Sequence, residues 1–449
     1  MKKPNIVLIL TDQQSSTMMS CVGNKYLKTP AMDSLAENGV LFNNAYCANP
    51  VCIPSRFSIF TGLYPTEIGQ RSNAIKKEIS GEIPDYIKKN GIGYLLQEAG
   101  YKAIFGGKEH LPKMRATDLG FDYFCEDERD ELATSAAKLI KEKHDKPYCL
   151  VVSLINPHDI CFMAIAEYAK TRDLENTDNF EQEDWFLRAV MTNGIDEQKT
   201  LEKSLKLPEG VSKKEFFEKH CPPLPPNFEI QDEEPDAIWA IKEQRQFKQY
   251  AHKHFTEEQW RMHRWSYAKL TEKVDGQIAK VLDAIKESGE EDNTVVMFSS
   301  DHGDMDSAHR MEHKTALYEE ATHVPFIIKD PNMPNKGSQC NNFISNGLDI
   351  IPTICEYAGI KKPEYLKGAS IKPLLENQDT KWRDSVYVEA EFGNMIVTDR
   401  YKYALYDKGE NREQLYDLEL DPYEMKNFAN SADHQDILCK LRKKYKEFL

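Results

Sequence analysis

Four short apolar runs punctuate the chain, each closed by polar residues. Residues 5–10 read NIVLIL, 101–107 YKAIFGG, 148–155 YCLVVSLI and 294–300 TVVMFSS. Runs this brief and this uniformly apolar predict strands buried on both faces, as in parallel sheets. Residues 324–328 predict a fifth strand. Between the runs the spacing changes to three or four. Thr29-Pro30 opens a helix through Ala36, with proline at a favourable early position. Residues 83–99 have helical spacing and stop at Gly100. Trp265, Leu270, Val274, Ile278, Val281, Leu282 and Ile285 place one apolar stripe on a helix over 257–285, and LDIIPTICEYAGI predicts another over 348–360. Alternating strands and helices predict an α/β fold. After about residue 378 the pattern shifts to short strands at 386–391, 395–398 and 401–406.

Composition changes this picture little. The 449 residues are 40% hydrophobic and 29% charged, an ordinary globular balance. The net charge of -15 argues against nucleic acid and anionic membrane surfaces as partners. An anionic ligand must therefore be drawn in by a local positive pocket. Ten cysteines, thinly spread, do not form a disulfide scaffold for so long a chain. The apolar run after MKKPN is too brief for a secretory leader and has no small-residue cleavage site, so a cytoplasmic protein is expected; a removed leader would make it periplasmic or secreted. No stretch is long enough to span a membrane.

The chemistry concentrates at the ends of the apolar runs. Asp12 follows the first, Lys108 the second, His158 the third and Asp301 the fourth. In a doubly wound sheet such ends gather along one edge, where ligands bind. His110 stands two after Lys108 and shares its face on an extended segment, while His302 follows Asp301. CIPSRFSIFTG, 52–62, adds a helix start: Pro54 suits a first turn, so Cys52 is expected just ahead of a helix N-terminus, with Arg56 one turn on. Two carboxylates and an imidazole suit a divalent cation. Carboxylates favour calcium or magnesium; imidazole opens the way to manganese or zinc.

CIPSRFSIFTG resembles the formylglycine motif of the type I sulfatases, C-x-P-S-R-x-x-x-L-T-G, with Phe60 the one departure. That family belongs to the alkaline phosphatase superfamily. TPAMDSLAENGVLF is similar to the family's lead-in, GKEHLP to its G-K-W-H-L-G, and Ser300-Asp301-His302-Gly303 to its S-D-H-G; Lys314, Tyr318 and Glu319 match K-x-x-x-Y-E. The resemblance implies a sulfuric ester hydrolase acting on a sulfated carbohydrate or small sulfate ester. It implies that a maturation enzyme oxidises Cys52 to formylglycine, whose hydrate is the nucleophile. It implies that Asp12, Asp301, His302 and residue 52 hold a metal, usually calcium, with magnesium or manganese as alternatives. Lys108, Lys314 and His158 would bind the sulfate, His158 or Lys314 would protonate the leaving oxygen, His110 would deprotonate the hydrate, and Arg56 would hold residue 52. The implied fold is a large mixed, mostly parallel sheet between helices, with a small C-terminal α+β subdomain on an antiparallel sheet. Residues 1–377 would form the catalytic domain and 378–449 the subdomain. The charged stretch 160–255 is an insertion of helices and loops expected to shape specificity. Gln13 replaces a second acid usual after Asp12, a variant also found in phosphonate monoester hydrolases. That keeps open a phosphonate monoester or phosphodiester hydrolase. A non-catalytic binder of sulfated ligands is the alternative if Cys52 stays a thiol.

Overall fold

The four apolar runs become adjacent strands because each has two faces to bury. The computed structural model describes residues 2–73, 85–89, 91–172, 187, 195–231, 233–377 and 379–448. Its main sheet has eight strands in the order β4-β3-β5-β1-β6-β7-β2-β8. They are β1 (Asn5–Asp12), β2 (Val40–Tyr46), β3 (Lys102–Gly107), β4 (Asp122–Cys125), β5 (Tyr148–Pro157), β6 (Thr294–Ser300), β7 (Phe326–Lys329) and β8 (Ser338–Ser345). β4, β3, β5, β1 and β6 run parallel; β7 is antiparallel to both its neighbours, and β2 and β8 are parallel.

Alternation along β1 divides the core in two. Ile6, Leu8 and Leu10 join Ile53, Phe57 and Ile354 on one face, so helices α2 (Cys52–Thr61) and α7 (Asn346–Ala358) cover it. Val7 and Ile9 point the other way, to Met32 of α1 (Pro30–Asn38), Ala136 of α3 (Leu132–Lys141) and Val274, Ile278 and Val281 of α6 (Glu257–Glu287). With both faces covered, β1, β5 and β6 are buried throughout and β3 all but its first residue, as their composition predicts. The insertion contributes α4 (Phe162–Ala169), α5 (Gln246–His254) and further helices at Asp196–Ser204, Lys213–Lys219 and Asp236–Glu243. The helix expected over 83–99 lies partly outside the described residues; Asp85–Lys89 and Ile92–Glu98 are helical.

A second sheet, β12-β11-β10-β9, is antiparallel throughout and built from β9 (Ser385–Ala390), β10 (Gly393–Thr398), β11 (Tyr401–Tyr406) and β12 (Glu413–Asp417). One face carries Val388, Met395 and Tyr416 against Met305 and Tyr318, on the segment that follows β6. The other carries Tyr387, Ile396 and Leu415 against Leu438 and Leu441 of α8 (Gln435–Lys446). No described helix is long and apolar enough to cross a membrane.

Candidate active site

β3, β5, β1 and β6 are neighbours and parallel, so their carboxyl ends bring Lys108, His158, Asp12 and Asp301 to one edge. α2 delivers residue 52 to the same place. Cys52 is the first residue of that helix, with Val51 as its N-cap, so the helix starts one position earlier than expected. Its sulfur is fully buried, 2.8 Å from Lys314 Nζ, 3.2 Å from His302 Nε2 and 3.8 Å from Asp12 Oδ1. His110 and His158 approach the same sulfur. Gly107 makes the approach of Lys108 feasible: its φ is +87°, and a Cβ there would lie 2.2 Å from the Ser153 carbonyl oxygen.

Arg56 is completely buried and donates in four directions. Nε reaches Asp301 Oδ2 at 2.8 Å, Nη2 reaches Asp12 Oδ2 at 2.9 Å, and Nη1 reaches the Lys108 carbonyl and Ser153 Oγ, both at 2.8 Å. Its donors are used on carboxylates and strand ends rather than on residue 52, so its hold on residue 52 runs through Asp12. Lys108 Nζ makes a second ion pair with Asp12 Oδ2 at 2.8 Å.

These charges set the ionisation of the site. Burial would raise Asp12, but the positive charges of Lys108 first, then Arg56 and Lys314, outweigh it and hold its carboxyl well below the usual range. Burial, with the nearby Asp12 charge, pushes Asp301 up to about 6. Burial and then Lys108 push His158 down to about 3, so that ring is neutral. Burial and Asp12 oppose the Cys52 thiolate, yet Lys314, Lys108 and His302 pull the thiol well below its ordinary value.

Asp12, Cys52, Asp301 and His302 each present a donor atom, and all four donors lie within 4.8 Å of one another and are buried. His302 Nδ1 lies 2.8 Å from the Gly303 carbonyl, so in the neutral ring Nδ1 holds the proton and Nε2 keeps its lone pair towards residue 52. Two carboxylates held this close favour a cation between them. The donor set therefore fits a divalent metal.

Asp12, Cys52, Arg56, Lys108, His110, His158, Asp301, His302 and Lys314 lie at this one edge, whereas Tyr318 and Glu319 lie towards the small sheet, Tyr318 packing with Tyr416 and Glu319 pairing with Lys402. Gln13, which stands in place of a second acid, accepts at its amide oxygen from Lys314 Nζ at 2.7 Å and Cys161 Sγ at 3.0 Å, and its amide nitrogen donates to Asp304 Oδ2 at 2.6 Å. Burial pushes Asp304 up to about 7. Asp304, Cys161 and Ser153 carry no spacing that marks them as site residues; only folding brings them in. His309 stacks on Tyr318 at 3.9 Å, while His313 is buried beside Lys314.

Comparison with known proteins gives the following. The sulfatase family model matches residues 4–360, and a model for the C-terminal part of N-sulphoglucosamine sulphohydrolase matches 307–448. A Δ4,5-hexuronate-2-O-sulfatase of Bacteroides thetaiotaomicron is 28% identical over 477 residues, covering 98% of this chain and 88% of its own length. An arylsulfatase of Clostridium perfringens is 30% identical over 476 residues, covering 98% and 93%. The solved structure of a 2-O GAG sulfatase has a TM-score of 0.78 at 26% identity, covering 100% of this chain and 92% of that one.

Proposed function

The chain belongs to the sulfatase family of the alkaline phosphatase-like fold, and on that premise we propose that it removes sulfate from a sulfated sugar through a formylglycine at position 52. The observation that carries the reading is the convergence of Lys314, His302 and Asp12 on the residue 52 sulfur, at 2.8, 3.2 and 3.8 Å. Sulfated sugars are the substrate class because the hexuronate-2-O-sulfatase is similar over nearly the whole chain. Calcium is our assignment for the cation, since two carboxylates dominate the donor set.

Oxidised and hydrated, residue 52 would supply the nucleophilic hydroxyl, and the cation held by Asp12, Asp301, His302 and residue 52 would neutralise ester oxygens. The rest falls to ordinary side chains. Lys108 and Lys314 provide fixed positive charge for the sulfate oxygens in a site without bulk water. Arg56 holds the two carboxylates in place against their mutual repulsion. His158 starts neutral because burial and the lysines oppose its charge. A bound sulfate offsets those lysines, so His158 can take up a proton from solvent as substrate binds and pass it to the leaving oxygen. His110 stands beside residue 52, where it can take a proton from the hydroxyl that did not attack.

The test is a mass spectrum of the peptide bearing residue 52, from protein made alongside a formylglycine-generating enzyme, followed by turnover of an aryl sulfate and an aryl phosphonate. We expect an aldehyde at 52 and faster sulfate release. An intact thiol would overturn the nucleophile and favour a binder; preference for the phosphonate would move the protein to the neighbouring hydrolase class. Calcium added back after chelation should raise Tm more than magnesium does; the reverse order would replace calcium in the assignment.

A further inference from the structure

His158, the proton donor of the reaction above, follows Pro157, the last residue of β5, which pairs across the sheet with Asp12. Its ring approaches residue 52. A catalytic imidazole is usually oriented by a hydrogen bond on its second nitrogen. Here Nδ1 is buried and has no hydrogen-bond partner among the described residues. The Phe162 ring stands edge-on, with its centre 6.4 Å away. The backbone that carries the ring therefore sets its place.

That backbone is clasped from both sides. Asn156 precedes Pro157-His158 and Asp159 follows it, and both are fully buried. The Asp159 amide donates to Asn156 Oδ1 at 3.4 Å, and Asn156 Nδ2 donates to Asp159 Oδ2 at 3.1 Å. Asp159 is held in turn by Arg129, whose Nη2 donates to Oδ1 at 2.7 Å and whose Nε donates to Oδ2 at 3.2 Å. Arg129 is itself fixed. Its amide donates to Asp127 Oδ1 at 2.8 Å and its carbonyl accepts from Gln277 of α6, while the adjacent Glu128 carbonyl accepts from the Ile155 amide of β5 at 3.0 Å. Arg129 Nη2 also lies 3.5 Å from Glu197, on the insertion helix at Asp196–Ser204. The turn after β5, α6 and the insertion thus meet at Arg129. A buried ion pair is weak evidence for stability, because desolvation offsets the attraction. The geometry of this one fixes a single turn, and that turn carries the proton donor.

We propose that Asp159 and Arg129 are positioning residues for His158, holding its imidazole at the leaving oxygen and so setting how well the proton is delivered. This rests on the sulfatase reading and on His158 as its acid. Proton transfer needs hydrogen-bond reach to the oxygen, and a misplacement of about 1 Å can cost about 100-fold. Asp159→Asn keeps the shape of the side chain and breaks the clasp, because its amide nitrogen meets an Arg129 donor in either orientation.

The test measures kcat/KM for phenyl sulfate and 4-nitrophenyl sulfate, in protein with an aldehyde verified at position 52. Nitrophenoxide departs without a proton far more readily than phenoxide, so only the phenyl ester leans on the acid. In Asp159→Asn the ratio of kcat/KM, 4-nitrophenyl over phenyl, should rise roughly 10- to 100-fold. Arg129→Lys keeps the charge but not the fork and should raise the ratio too. His158→Ala should raise it at least as far. Asp159→Asn added to His158→Ala should raise it no further, since residues that act through one group are not additive. A merely structural defect lowers both esters alike, so an unchanged ratio overturns the inference. A further rise in the double variant overturns it as well, because Asp159 would then act other than through His158. If Asp159→Asn lacks the wild-type circular dichroism spectrum, Arg129→Lys decides by the same ratio. An unchanged ratio in His158→Ala removes the acid and this inference with it, while sulfate release by the wild type keeps the sulfatase reading. Wild-type protein that releases sulfate from neither ester overturns that reading itself.

Discussion

Arg56 is the residue on which the site's charge balance turns. A guanidinium with no exposure is costly to bury unless its donors are matched, and here they are matched group by group to Asp12, Asp301, Lys108 and Ser153. The planar fork reaches two carboxylates at once, which a point-charge ammonium on a flexible stem cannot do. Arg56→Lys should therefore lose about 3–5 kcal/mol of stability, read as a lowered denaturant midpoint. A loss below about 1 kcal/mol would mean that lysine satisfies the carboxylates equally well.

At the level of elements, α6 serves two cores with one helix. Its C-terminal half, through Val274, Ile278 and Val281, covers the main sheet. Its N-terminal half packs Trp260 against Ala164 and Ala251, and Trp265 against Phe216, all from the insertion. Between them Tyr267 accepts from the Ser15 amide at 2.9 Å and donates to the Gln13 carbonyl at 2.7 Å, which fixes the loop after β1. His263 lies in the N-terminal half, buried, with neither ring nitrogen hydrogen-bonded. Burial, helped by Arg264, pushes it down to about 3. A histidine held below its unfolded value of about 6.5 takes up its proton only on unfolding. Its contribution to stability is therefore present above pH 6.5 and is lost as pH falls towards 3, with a slope of up to about 1.4 kcal/mol per pH unit. His263→Leu should flatten the acid side of a stability–pH curve by up to that slope. An unchanged curve would show that other groups set the acid limb.

Across the whole molecule, the small sheet docks onto the segment that carries the site. Lys402 of β11 is fully buried between Glu319, at 3.1 Å, and Glu424, at 2.6 Å. Tyr46 of β2 donates to Glu319 at 2.9 Å, so the network joins both sheets. Two residues beyond Glu319, the Ala321 carbonyl accepts from the Gly303 amide at 2.8 Å, beside His302. Lys402→Met should lose about 3–5 kcal/mol, because it strands the buried Glu424 carboxylate and takes one partner from the partly exposed Glu319. Adding Glu424→Gln should recover part of the loss in the same denaturation measurement; a double variant no more stable than the single one would show that Glu424 is not left charged.

The local chain determined much of this protein. The apolar runs at 5–10, 101–107, 148–155 and 294–300 had to be doubly buried strands, and Asp12, Lys108, His158 and Asp301 had to follow their ends. Cys52 and Arg56 were legible from one helix start. Other elements were not. β8 reads SQCNNFIS and lies at the sheet edge with several polar residues partly exposed, so its composition carries no apolar run. The antiparallel direction of β7 is set by its partners β6 and β2, which local pattern does not encode. The use of Gln13 by Lys314 and Asp304 and the spread of Arg56 over four partners depend on residues far apart in sequence. Periodicity reports which faces need burying and which strand ends carry charge. Only the packed chain decides which charges meet, because burial and pairing are properties of neighbours in space.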